Sequence, residues 1–150
     1  MAALLLISTA GFGCRNEVKD ELKKHRRIWE NEVVRDYQYR LQVLCFCPPD
    51  VTNPVIVEVK NGVTFSVIYA GTGLPVGNTN FVRYDTIDEM FQVIEDAINQ
   101  GADEIKVEYN ADLGYPTRID IDFIKMAVDD EITYTISNFA GASLTSNNSP

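Results

Sequence analysis

The chain has 150 residues, 45% of them hydrophobic and 23% charged, with a net charge of −9 at pH 7. That length suits one domain able to bury roughly two-thirds of its unfolded surface. The negative charge argues against nucleic acid and against an anionic lipid surface as partners, because both repel it.

The charge is uneven. Residues 15–40 carry eight basic and six acidic side chains, a net +2, so the remainder, with five basic and sixteen acidic, carries −11. The basic segment reads as a solvated helix face, or as a tether near a lipid surface.

Ala2 to Ala10 is apolar but too short to span a bilayer. It runs into Gly11-Phe12-Gly13-Cys14, and polar residues follow at once. This is the shape of a secretory leader over residues 1–13. A cysteine after the cut resembles a bacterial lipobox, which makes Cys14 a lipidation candidate and the membrane a partner through that anchor. Gly11 stands where such a box usually has Leu, and a basic start is missing. A plain secretory leader with an incidental cysteine is the alternative. Either way the expected location is the cell envelope or beyond it, where disulfides form.

From residue 18 to 33 the spacing predicts a helix, with Val18, Leu22, Trp29 and Val33 on one stripe and Ile28 beside it. His25 is the only histidine and has no second His or Cys nearby in sequence. It is expected to be surface or half-buried rather than catalytic or metal-bound.

Tyr37 to Cys47 reads as the first strand, with Tyr37, Tyr39, Leu41, Val43, Cys45 and Cys47 in one row. Pro48 and Pro49 end it. Two residues apart on an extended strand, the two cysteines are about 6.6 Å apart at Cα, near the upper limit for a bridge. Buried thiols, a disulfide imposed by a bend, a redox-active pair and a thiolate site for a soft ion such as Cu(I) all remain open.

Residues 54–60 and 63–69 read as a hairpin around Asn61-Gly62, with Val63, Phe65, Val67 and Tyr69 aligned on one face. A Gly- and Asn-rich loop, with Gly71, Gly73 and Gly77, runs from Ala70 to Tyr84. Its glycines suit either a ligand or a simple connection. Thr86-Ile87-Asp88-Glu89 fits a capping box at the start of a second helix that stops at Gly101. Ile87, Met90, Phe91, Ile94 and Ile98 give its buried stripe.

Strands are expected at residues 104–109, with Ile105, Val107 and Tyr109 inward, at 116–124, with Ile119, Ile121 and Phe123 inward, and at 131–138, with Ile132, Tyr134 and Ile136 inward. Gly114 is expected at positive φ between the first two, where Asn should be tolerated better than Val. Residues 140–150 read as a flexible tail, leaving a single domain over 14–139. Asp120 and Asp122, with Asp129-Asp130-Glu131 in the next loop, admit a hard cation, although a solvated acidic face explains them as well. No triad, zinc or phosphate-loop spacing is evident.

The fold class expected is α+β: two helix-plus-three-strand units in tandem, with the helices on one face of an antiparallel sheet. The function expected is a non-enzymatic binding or accessory role without a cofactor. The alternative is a thiol-based redox or soft-metal protein using Cys45 and Cys47.

Trp29, Asp36-Tyr37-Gln38-Tyr39, Cys45-Phe46-Cys47 and Val57 through Gly62 carry a resemblance to a known family. Thr86 through Phe91, Val107-Glu108-Tyr109, Gly114-Tyr115-Pro116-Thr117, Ile121-Asp122 and Asp129-Asp130-Glu131 extend it. Over residues 29–139 the chain resembles a family of exported, often lipoprotein-like bacterial domains of unknown function, with Asn110 where that family is expected to have Asp. The resemblance implies an envelope location and a shared fold. It implies no activity and no catalytic residues.

Overall fold

The computed structural model describes residues 12–77, 85–127 and 129–141, with side chains from residue 15 onward. The elements are α1 (Phe12–Glu32), β1 (Tyr37–Cys45), α2 (Pro49–Thr52), β2 (Val55–Lys60), β3 (Val63–Tyr69), α3 (Ile87–Gln100), β4 (Glu104–Tyr109), β5 (Pro116–Asp122) and β6 (Glu131–Gly141). Six antiparallel strands form one sheet in the order β3-β2-β1-β6-β5-β4. Each half is thus a meander, and the pairing of β1 with β6 joins the halves. The class is α+β, with helices packed against the sheet.

Local chemistry explains the elements. Asn61 at φ 53 and Gly62 at φ 75 make the turn between β2 and β3, as two consecutive positive-φ residues must for a type I′ hairpin. Thr86 caps α3 by accepting from the Glu89 amide at 3.4 Å, with Asp88 and Glu89 in the positive first turn. Gly101 ends α3 at φ 80.

The core lies between the helices and the sheet. Tyr39, Leu41, Val43, Val55, Val57, Phe91, Ile94 and Ile119 are fully buried. Trp29 anchors α1 in an aromatic cluster, meeting Tyr37, Tyr115 and Phe139 edge-on at centroid distances of 5.4, 6.3 and 5.9 Å. The Tyr37 hydroxyl accepts from the Ile87 amide at 2.9 Å, and the Tyr39 hydroxyl donates to the Asp85 carbonyl. These two bonds pin β1 to the start of α3.

Several expectations are corrected. Val33 lies past the end of α1 at φ 50 and is exposed, and Val34 takes the buried position instead. The first strand stops at Cys45 because the chain bends there, and Pro49–Thr52 form the short helix α2 with Val51 fully buried. Val63 and Phe65 are exposed and do not share the face of Val67 and Tyr69, which pack half-buried against the core. A register shift between Glu58 and Val59 pairs Val59 with Thr64 and Lys60 with Val63, which moves the start of β3 onto the other face. Phe65 there lies under the Lys60 ammonium, 3.8 Å from the ring centroid. β6 continues to Gly141, so Ala140 and Gly141 pair with Gln38 and Tyr37 rather than forming a tail. Residues 142–150, 78–84 and the leader through Gly11 fall outside the described residues.

Candidate functional site

A cleft of about 400 Å³ lies at the sheet's edge, where the first half of α1 runs beside β4. Val18 of α1 and Ile105, Val107 and Tyr109 of β4 line its apolar floor. These β4 residues share a face by strand alternation, and Val18 meets them from the expected α1 stripe. Charged side chains rim it: Arg15, Glu17 and Glu21 from α1, and Asp103, Glu104, Lys106 and Lys125 from β4 and its neighbouring loops.

Most of the rim's basic groups are engaged. The Arg15 guanidinium donates to the carbonyls of Gly101 and Ala102 at 3.4 and 3.3 Å, where α3 ends and its dipole is negative. Lys106 lies 2.8 Å and Lys125 3.9 Å from Glu104. The Lys106 hydrogen bond holds the exposed Glu104 carboxyl below its ordinary range. Glu21 is lowered in the same way by Lys24. With four acids against three bases the rim is slightly acidic.

Tyr109 closes the cleft's far end. Its ring stacks on His25 at 4.1 Å with planes 2° apart, and the Glu21 carboxylate meets His25 Nε2 at 3.2 Å. The His25 Nδ1 atom and the Tyr109 hydroxyl are buried without a hydrogen-bond partner. Burial pushes the Tyr109 hydroxyl well above the ordinary tyrosine range, and Glu21 adds to the shift. His25 is therefore half-buried, as expected; its Glu21 partner lies one helical turn away, but the ring that covers it, Tyr109, comes from a strand 84 positions away in sequence and had no local signal. The same is true of Arg15 and Lys125, whose roles depend on long-range packing.

Cys45 and Cys47 are joined in a disulfide with Cα atoms 5.2 Å apart, closer than an extended strand allows. Both are half-buried against the core, while Phe46 between them is 83% exposed. By the chain-entropy relation, so small a ring stabilises by about 1.6 kcal/mol, roughly half the value for a fifteen-residue loop. Cys14 lies in α1, and its side chain falls outside the described residues.

Among the described residues, no group of three or more His, Cys, Asp or Glu side chains is placed to hold a metal ion. Asp120 is engaged elsewhere. Arg118 grips it with two bonds of 2.7 and 2.8 Å, and Thr133 donates at 2.6 Å. The Arg118 bonds hold its carboxyl below the ordinary range. Gly73, at φ 70, serves a turn whose amide donates to the Tyr69 carbonyl at 2.8 Å. No described helix is long and apolar enough to cross a membrane.

A family of unknown function, DUF6174, has a sequence model that matches residues 21–141, and the chain belongs to that family. No curated protein and no solved structure matches the chain.

Proposed function

We propose that this DUF6174 member is a binding domain of the bacterial cell envelope, and that its cleft takes an extended, basic segment of another envelope protein. The observation that carries this reading is the pairing of an apolar cleft with an edge strand. β4 is the last strand of the sheet, so one of its two sides has no neighbouring strand. A segment added there gains main-chain hydrogen bonds, and its alternate side chains drop toward Val18, Ile105 and Val107. The acidic rim and the net charge of −9 favour a basic segment.

The envelope location rests on the apolar run from Ala2 to Ala10 and on Cys14 behind it. The lipid anchor would sit at the N-terminal end of α1, the same end that borders the cleft. In a bacterial host, palmitate labelling is expected on the wild-type chain and is expected to vanish in Cys14→Ser. Labelling that survives this substitution excludes the anchor. For the cleft, a photo-crosslinker at Glu108 should form one defined adduct with an envelope protein, and Val107→Arg should remove it. An equal adduct from a crosslinker at Thr64, on the opposite edge, would overturn the assignment to β4.

A further inference from the structure

The Cys45–Cys47 disulfide poorly fits the role of a staple. Its ring spans one intervening residue, so it constrains only chain that other contacts already hold. Cys45 is paired with Ile132 across the β1–β6 ladder. Beyond Cys47 the Val51 amide donates to the Pro48 carbonyl at 3.0 Å, and Val51 is fully buried. Between the two cysteines an aromatic side chain stands in water. Phe46 is 83% exposed, and Leu44, one residue before the ring, is 50% exposed. A disulfide flanked by exposed apolar side chains has the surface needed to meet an unfolded polypeptide, whose own apolar residues are accessible.

We propose that Cys45–Cys47 exchanges with a pair of thiols on an extended polypeptide, whose apolar side chains rest on Phe46 and Leu44. This goes beyond the cleft reading and stands without it, because the residues are different. In the first step a thiolate of the polypeptide attacks one sulfur of the ring. A bond between the two chains forms, the Cys45–Cys47 bond breaks, and the displaced cysteine leaves as a thiolate. The second polypeptide thiolate then attacks the polypeptide's own sulfur in the mixed disulfide and releases the other ring cysteine. The polypeptide loses two electrons and becomes a disulfide. Cys45 and Cys47 gain those electrons and take up two protons. A low-molecular-weight disulfide, itself reduced to two thiols, restores the ring.

The test mixes the oxidised full-length chain with a reduced, fluorescent, unstructured peptide carrying two cysteines and two phenylalanines. Alkylation and mass spectrometry then locate the thiols. The expected result is one disulfide gained per peptide as Cys45 and Cys47 become alkylatable. Phe46→Ser should slow this about tenfold, the loss expected for one aromatic contact, and leave the reaction with dithiothreitol unchanged. The double variant Cys45→Ser, Cys47→Ser should keep its circular dichroism spectrum and leave the peptide reduced. A ring that stays oxidised until the protein is unfolded would overturn the proposal. So would a double variant that fails to fold, which would make the bond a staple, or a wild-type rate with the peptide in Phe46→Ser.

Discussion

Gly114 separates two ways in which a glycine can be required. It closes the turn between β4 and β5 at φ 77, a region that costs other residues roughly 1–2 kcal/mol. It also lies directly under α1. A Cβ added there would stand 2.5 Å from the His25 carbonyl oxygen and 2.9 Å from Ile28 Cβ. The first obstacle is helix backbone and cannot rotate away, so α1 would have to retreat. Overpacking of that kind costs about 1–3 kcal/mol, which gives a total of about 2–5 kcal/mol for Gly114→Ala. Gly101 is the control: its φ is 80, but nothing lies within 4 Å of an added Cβ. Gly101→Ala should therefore cost only about 1–2 kcal/mol. Asn tolerates positive φ, so it should relieve the loss at Gly101 but not at Gly114, where it meets the same carbonyl. Asn at Gly114 is still expected to be milder than Val, because it tolerates the positive φ, but the close approach of α1 makes it costly as well. Urea unfolding followed by the fluorescence of the single tryptophan, Trp29, reads all four variants. Equal losses for Gly114→Ala and Gly101→Ala, or rescue by Asn at Gly114, would refute the close approach of α1.

Other outcomes follow from the core and from its buried hydroxyls. Phe91→Ala and Trp29→Ala should each cost about 3–5 kcal/mol, since both side chains are buried between the helices and the sheet. Thermal melting at the wild-type temperature would contradict the assigned packing. Burial raises the hydroxyl pKa of Tyr37, Tyr39 and Tyr109 above the ordinary value. The folded state therefore keeps protons that the unfolded chain loses above about pH 10. The associated stability is fully present below that pH and is lost as pH rises toward the folded values, at up to about 1.4 kcal/mol per pH unit for each group. Urea midpoints measured from neutral to strongly alkaline pH should fall accordingly. Tyr109→Phe, which removes a buried hydroxyl without a partner, should cost little at pH 7 and make that fall shallower. A midpoint that does not move with pH would refute the burial of these hydroxyls.

The sequence made the fold legible where the determinants are local. The turn at Asn61-Gly62, the cap at Thr86 and the stop at Gly101 need only neighbouring residues, and side-chain alternation placed the inward rows of β1, β4 and β5. It failed where one extra residue changes the face. The bulge opposite Val59 has no local signature in Val63-Thr64-Phe65, so their alternation with Val67 and Tyr69 looked continuous. The disulfide was one of several open readings, because its geometry depends on a bend before Pro48 that alternation does not report. The cleft was not legible at all. Val107 and Tyr109 were read as inward, but only the packing of α1 along β4 shows that they stop short of closure and that His25 covers one end.

The central claim is that the β4 edge and its cleft form the binding surface. Amide chemical-shift mapping on the isotope-labelled chain, titrated with an extended peptide of alternating valine and lysine, addresses it directly. Shifts are expected along Glu104–Tyr109 and along the first half of α1, from Arg15 to Glu21. The exchange of β4 amides should slow, and both effects should be lost in Val107→Arg. Shifts centred on Val63–Tyr69 at the opposite edge, or an unchanged spectrum at saturating peptide, would contradict it.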